Sequence, residues 1–136
     1  MTTVEPLPDS GSVCDARLER EPQAAERARR MVRTFVGGLP GHVPRDVVEA
    51  ITLVVSELVT NAVRHARGRW CSVALQDMGY GVGISVSDED PSPPRPRRVD
   101  YTGQGGFGWP MVRRLSAELT VNFRPDGKTV RAVVPF

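Results

Sequence analysis

Apolar residues recur at three- and four-residue steps in two stretches of the chain. Ala24, Ala25, Ala28, Met31, Val32, Phe35 and Val36 form the first, introduced by Pro22 and closed by Gly37-Gly38. Proline fits a first helical turn and glycine ends a last one, so this spacing predicts a helix from Pro22 to Gly37. Leu39-Pro40-Gly41-His42-Val43-Pro44 reads as a loop. Beyond it Val47, Val48, Ile51, Val54, Val55, Leu58, Val59 and Ala62 form a second stripe, a longer helix running to about Ala66 before Gly68. The period then falls to two. Val73-Leu75 and Val82-Ile84-Val86 flank Met78-Gly79-Tyr80-Gly81 as a hairpin, and Leu119–Phe123 and Val130–Val134 flank Pro125-Asp126-Gly127 as another. A short helix from Met111 to about Ala117 precedes the second hairpin, and Val13, Ala16 and Leu18 suit a short edge strand.

Two segments lack periodicity. Residues 1–12 read as a mobile tail. Residues 89–104 carry Pro91, Pro93, Pro94 and Pro96 with no apolar face, a stretch long enough to act as a lid over a site. The order strand, helix, helix, two strands, lid, helix, two strands predicts an α+β chain with one domain over 13–136. Its architecture is a two-layer sandwich, with helices on one face of a mixed, mainly antiparallel sheet.

Composition narrows the function classes. Of 136 residues, 40% are apolar and 25% charged, the balance of a globular protein, and no apolar run is long enough to span a bilayer. The first residues carry neither a basic nor an apolar leader segment, so a cytoplasmic location is expected. The net charge of +2 falls well short of the basic patches of nucleic-acid binders, so no direct nucleic-acid partner is expected. Lys128 is the single lysine among 18 Lys and Arg residues, a bias consistent with a GC-rich genome. Cys14 and Cys71 lie far apart with no metal-ligand spacing around them and read as reduced thiols.

Three places could carry chemistry. On the second helix Glu57, Asn61 and His65 follow at four-residue intervals, within about 80° of one another along one edge of the apolar stripe. An amide oxygen there can coordinate a hard cation such as Mg²⁺, and a carboxylate one turn away can accept a proton from water or a hydroxyl. The same spacing also suits a solvated helix edge. Asp88 continues the parity of Val82, Ile84 and Val86 onto the apolar face, where a carboxylate needs a partner such as the exocyclic amine of an adenine. A turn residue before the Pro-rich segment is the other account. Asp90 is a weaker candidate, because the chain has left the sheet by then. Gly103-Gln104-Gly105-Gly106-Phe107-Gly108 leads into a helix, where glycines allow close approach to a phosphate or serve as a hinge.

Taken in order, these segments carry a resemblance. Val55-Ser56-Glu57-Leu58-Val59-Thr60-Asn61-Ala62-Val63-Arg64-His65-Ala66, Val86-Ser87-Asp88, Gly105-Gly106-Phe107-Gly108-Trp109-Pro110-Met111-Val112 and Gly127-Lys128-Thr129-Val130 resemble the histidine-kinase-type (Bergerat) ATPase domain of the anti-sigma-factor serine kinases. The resemblance implies that Asn61 coordinates Mg²⁺ and that Glu57 activates the phosphoryl acceptor. It implies that Asp88 reads adenine, with Thr129 supporting it through a shared water, and that Gly105, Gly106 and Gly108 shape the phosphate side. It further implies ATP and Mg²⁺ as ligands, a sigma factor and a serine-bearing antagonist protein as partners, and a possible homodimer. It assigns no role to His65, and leaves His42, Trp70 and Trp109 as loop and packing residues.

Two positions depart from the family pattern. Asp88-Glu89-Asp90-Pro91-Ser92 replaces the glycines expected after the aspartate, and Pro110 replaces an apolar helix residue. The first departure keeps a second reading open: a regulatory module, nucleotide-binding or nucleotide-free, that sequesters a partner without phosphoryl transfer.

Overall fold

The structure, a computed structural model, describes residues 13–65, 68–91 and 108–136. The expected tail over 1–12 and most of the expected lid, with Gly105 and Gly106, lie outside them. The elements are β1 (Val13–Glu19), α1 (Ala24–Gly37), α2 (Arg45–His65), β2 (Trp70–Asp77), β3 (Gly81–Asp88), α3 (Gly108–Leu115), β4 (Glu118–Arg124) and β5 (Gly127–Pro135). No helix among the described residues is long and apolar enough to cross a membrane.

The five strands form one sheet in the order β1-β2-β3-β5-β4. Every ladder is antiparallel, so the mixed sheet expected from the sequence is corrected to a wholly antiparallel one. The reason is topological. Two helices separate β1 from β2, so the chain goes out and returns before pairing. The single helix α3 brings β4 back parallel to β3, but β5 lies between them and pairs with each.

Alternation sorts each strand into two faces. Leu18, Cys71, Val73, Leu75, Val82, Ile84, Val86, Val130, Ala132 and Val134 are buried on one of them. Against that face pack the stripes of α1 (Ala24, Ala28, Val32, Phe35) and α2 (Ile51, Val54, Val55, Leu58, Val59, Ala62), all part of one core with Val112 of α3. Burial of these side chains is the main driving force for the fold, at about 25 cal/mol per Å² of apolar surface. The outer side of α1 is polar, with Glu26 in ion pairs to Arg29, Arg30 and Arg33.

Helix ends differ from the sequence expectation by two or three residues. α1 begins at Ala24, whose amide donates to the Glu21 carbonyl. α3 begins at Gly108, three residues earlier than expected. Pro110 therefore falls in its first turn, where the missing N–H has no helical partner to lose.

Candidate nucleotide-binding site

The topology brings the end of α2, the start of β2, the end of β3 and the start of β5 to one end of the molecule. Four residues separate α2 from β2, and the start of β2 lies beside the end of β3, with Ser72 opposite Ser87. Asp88 in turn lies opposite Lys128.

Local contacts fasten this end. Arg20, just past β1, donates from Nη1 to the Val63 carbonyl in the last turn of α2 (2.8 Å) and from Nε to the Gly68 carbonyl (2.7 Å). Gly68 has φ +89, and a Cβ there would also meet the Glu89 carboxyl at 2.5 Å, so both conformation and space demand glycine. The Glu89 carboxylate accepts from the Trp70 amide at 3.3 Å. Trp70 itself lies beneath two guanidinium groups, Arg17 at 4.5 Å and Arg69 at 5.4 Å.

Glu57 and Asn61 are both buried, at 6% and 9% exposure, so the α2 edge that carries them is not a solvated one. Glu57 has an interaction partner. The Asn61 Oδ1 is buried and accepts no hydrogen bond among the described residues. A buried carbonyl oxygen left unpaired is costly, and its presence at this position points to a ligand. A hard cation such as Mg²⁺ suits an oxygen donor of this kind. No cluster of three or more acidic, His or Cys residues occurs among the described residues. Mg²⁺ is commonly held by one or two protein oxygens, with water and phosphates as its other ligands. The side chain of His65 lies outside the described residues.

Asp88 is buried on the helix-facing side, as the strand parity requires. Both oxygens of its carboxylate have partners. Oδ1 accepts from the Asp90 amide at 2.8 Å, and the Lys128 ammonium lies 3.0 Å from Oδ2 and 3.2 Å from Oδ1. The same ammonium donates to the Asp90 carbonyl at 3.0 Å. Asp90, although beyond the sheet, is thus buried through its backbone bonds to this pair. Gly127 permits the close approach of β5, since a Cβ there would collide with the Asp88 carbonyl oxygen. The thiol of Cys71, on the same face, is held above its ordinary pKa by burial first and by the Asp88 charge second.

Thr129 is placed differently from what the resemblance implies. It pairs with Ser87 on the opposite face of the sheet, its hydroxyl 2.8 Å from Ser87 Oγ, and it accepts from Arg124 Nη1 at 2.7 Å. Arg124 also reaches the Asp88 carbonyl at 3.4 Å. The structure therefore does not bring the Thr129 hydroxyl to the Asp88 carboxylate, and the residue beside that carboxylate is Lys128. The sequence held the signal, because Val130, Ala132 and Val134 set a parity that puts Lys128 on the buried face and Thr129 on the other. Of the glycines, Gly108 opens α3.

The described residues thus give a helix pair on one face of an antiparallel sheet, with Glu57 and Asn61 buried on α2 and Asp88 buried at the end of β3. Residues 18–134 match the family described as histidine kinase-like ATPase domain, so the chain belongs to that family. Two solved structures share the fold. One is the RsbU and RsbW domains of Rv1364c from Mycobacterium tuberculosis, at TM-score 0.66 and 21% identity over 92% of this chain and 32% of that one. The other is the histidine kinase domain of the blue-light activated histidine kinase from Erythrobacter litoralis EL346, at TM-score 0.51 and 27% identity over 82% of this chain and 59% of that one. The chain spans about a third of the first of these structures and under two thirds of the second. No curated protein matches it.

Proposed function

We propose that this domain binds ATP with Mg²⁺ and transfers the γ-phosphoryl group to a serine or threonine of an antagonist protein, while sequestering a sigma factor. The observation that carries the reading is the buried Asn61 Oδ1, unpaired among the described residues, one helical turn from the buried Glu57, on the α2 edge to which the resemblance assigns the cation. In this reading Asn61 holds the cation and Asp88 accepts from the adenine amine. Glu57 takes the proton of the acceptor hydroxyl as its oxygen bonds to the γ-phosphorus and the bond to the β-phosphate oxygen breaks. Bound Mg²⁺ would neutralise charge on the phosphates. The protein's part is positioning and electrostatics, which is most of what phosphoryl transfer asks of it.

A second reading has its own support. The carboxylate that would read adenine is already paired with Lys128, and Asp88-Glu89-Asp90-Pro91 carries no glycine. Both favour a module that sequesters its partner without transferring phosphate.

Calorimetric titration of ATP and ADP, with and without Mg²⁺, into wild type, Asp88→Asn and Asn61→Ala separates the two. The kinase reading expects binding that Asp88→Asn weakens and whose Mg²⁺ dependence Asn61→Ala removes. Absence of binding up to millimolar nucleotide would leave the sequestering module as the function. Once a phosphorylated partner is in hand, an unchanged transfer rate in Glu57→Ala would refute the assigned base.

A further inference from the structure

The ion pair at the end of β3 has one contact whose two partners each keep others. Asp88 Oδ1 already accepts from the Asp90 amide at 2.8 Å, and its contact to the Lys128 ammonium is the longest of the three that the ammonium makes, at 3.2 Å. The contacts to Oδ2 and to the Asp90 carbonyl are both 3.0 Å. An ammonium has three donors. Two of them can keep the short contacts while the third turns to an acceptor brought by a ligand, and no protein atom is left unpaired. Oδ2, with two lone pairs and one donor, retains room for an incoming N–H. The pair therefore offers an acceptor and a donor side by side on the buried face of the sheet. A ligand edge that complements it carries an amino group next to an unprotonated ring nitrogen. Adenine presents this arrangement in its 6-amino group and N1. Thr129 cannot supply the donor, because its hydroxyl is on the opposite face with Ser87 and Arg124.

We infer that Lys128 is a base-contacting residue, donating to adenine N1 while Asp88 accepts from the 6-amino group. The inference rests on the ATP-binding reading above and names the side chain that reads the second atom of the base. Lys128 thereby helps set specificity for adenine, in the position where the resemblance implies a threonine acting through water.

The test is a cycle of two nucleotides and two proteins. ATP and 1-deaza-ATP, which keeps the 6-amino group and replaces N1 by C–H, are titrated calorimetrically into wild type and Lys128→Met. Wild type is expected to lose about 10- to 100-fold in affinity on removal of N1, the worth of one hydrogen bond from a charged donor. Lys128→Met is expected to bind ATP more weakly and the two nucleotides alike. Equal affinities in wild type, or a wild-type ratio retained in Lys128→Met, would overturn the inference. Because Lys128 is the only lysine, selective ¹⁵N-lysine labelling of the wild-type protein gives a single side-chain Nζ resonance that needs no variant. ATP should shift that resonance and 1-deaza-ATP should leave it near its ligand-free position, and equal shifts would count against the contact. If wild type binds neither nucleotide, the ATP-binding reading fails and this inference with it, an outcome distinct from ATP binding that ignores N1.

Discussion

Lys128→Met offers the sharpest test of how this end of the molecule is held together. The Asp88 and Lys128 side chains are 4% and 7% exposed, and the ammonium lies 3.0 Å from Oδ2. At that distance and an effective dielectric constant of about 20, the direct attraction is roughly 5 kcal/mol, much of it offset by the cost of taking both charges out of water. Removing the lysine alone abolishes the attraction and leaves the buried carboxylate with the Asp90 amide as its remaining donor, and also strips the Asp90 carbonyl of its ammonium. The expected loss is about 3–5 kcal/mol of unfolding free energy, the usual cost of orphaning one member of a buried pair. Asp88→Asn should cost less, because a carboxamide oxygen still accepts from Lys128 and from the Asp90 amide. The double variant leaves neither charge of the pair, so its cost should fall below the sum of the singles by at least about 1 kcal/mol. Urea unfolding of the nucleotide-free protein reads all four corners of the cycle, provided the m-value is constant. A loss under about 1 kcal/mol in Lys128→Met, or strict additivity, would refute the reasoning and mean that water reaches the pair.

Two further outcomes follow from local geometry. Gly127→Ala should destabilise the fold by about 1–3 kcal/mol in the same urea assay, since the added Cβ collides with the Asp88 carbonyl oxygen. Gly37→Ala, at the end of α1 with open space around it, should instead gain up to about 1 kcal/mol. For the two thiols, alkylation followed by mass spectrometry should label half-buried Cys14 well before buried Cys71, whose raised pKa also keeps it as the unreactive thiol at neutral pH. The Cys71 rate should keep climbing with pH above 9, and equal labelling rates in the native protein would contradict the burial.

The helices, the α2 candidates and the parity of Asp88 were legible because each depends on short periodic spacing that tertiary structure did not override. The stripe from Ile51 to Ala62 defined one face of α2, and Glu57 and Asn61 fell on its edge. Lys128 is legible by the same parity, because Val130 and Ala132 in β5 assign it to the face that carries Asp88. The wholly antiparallel sheet could not be read locally, because it depends on β5 entering between β3 and β4, a long-range choice that no spacing within a strand encodes. α3 starts three residues before the expected Met111, with Pro110 in its first turn, where proline costs no hydrogen bond.

The position of β5 bears on how the protein comes into being. It follows the other four strands in chain order yet lies inside the sheet, so during synthesis β4 has no neighbour and Asp88 no ammonium until β5 emerges and inserts. β1 must likewise wait for β2, some sixty residues on, with Val13 opposite Gln76. Such distant pairings slow folding and leave strand edges exposed to other chains while they form. The arrangement also ties the proposed site to the whole chain: a nascent protein can carry Asn61 and Asp88 before β5 has paired with β3, so on the proposed reading nucleotide capture becomes a late event that reports a finished fold.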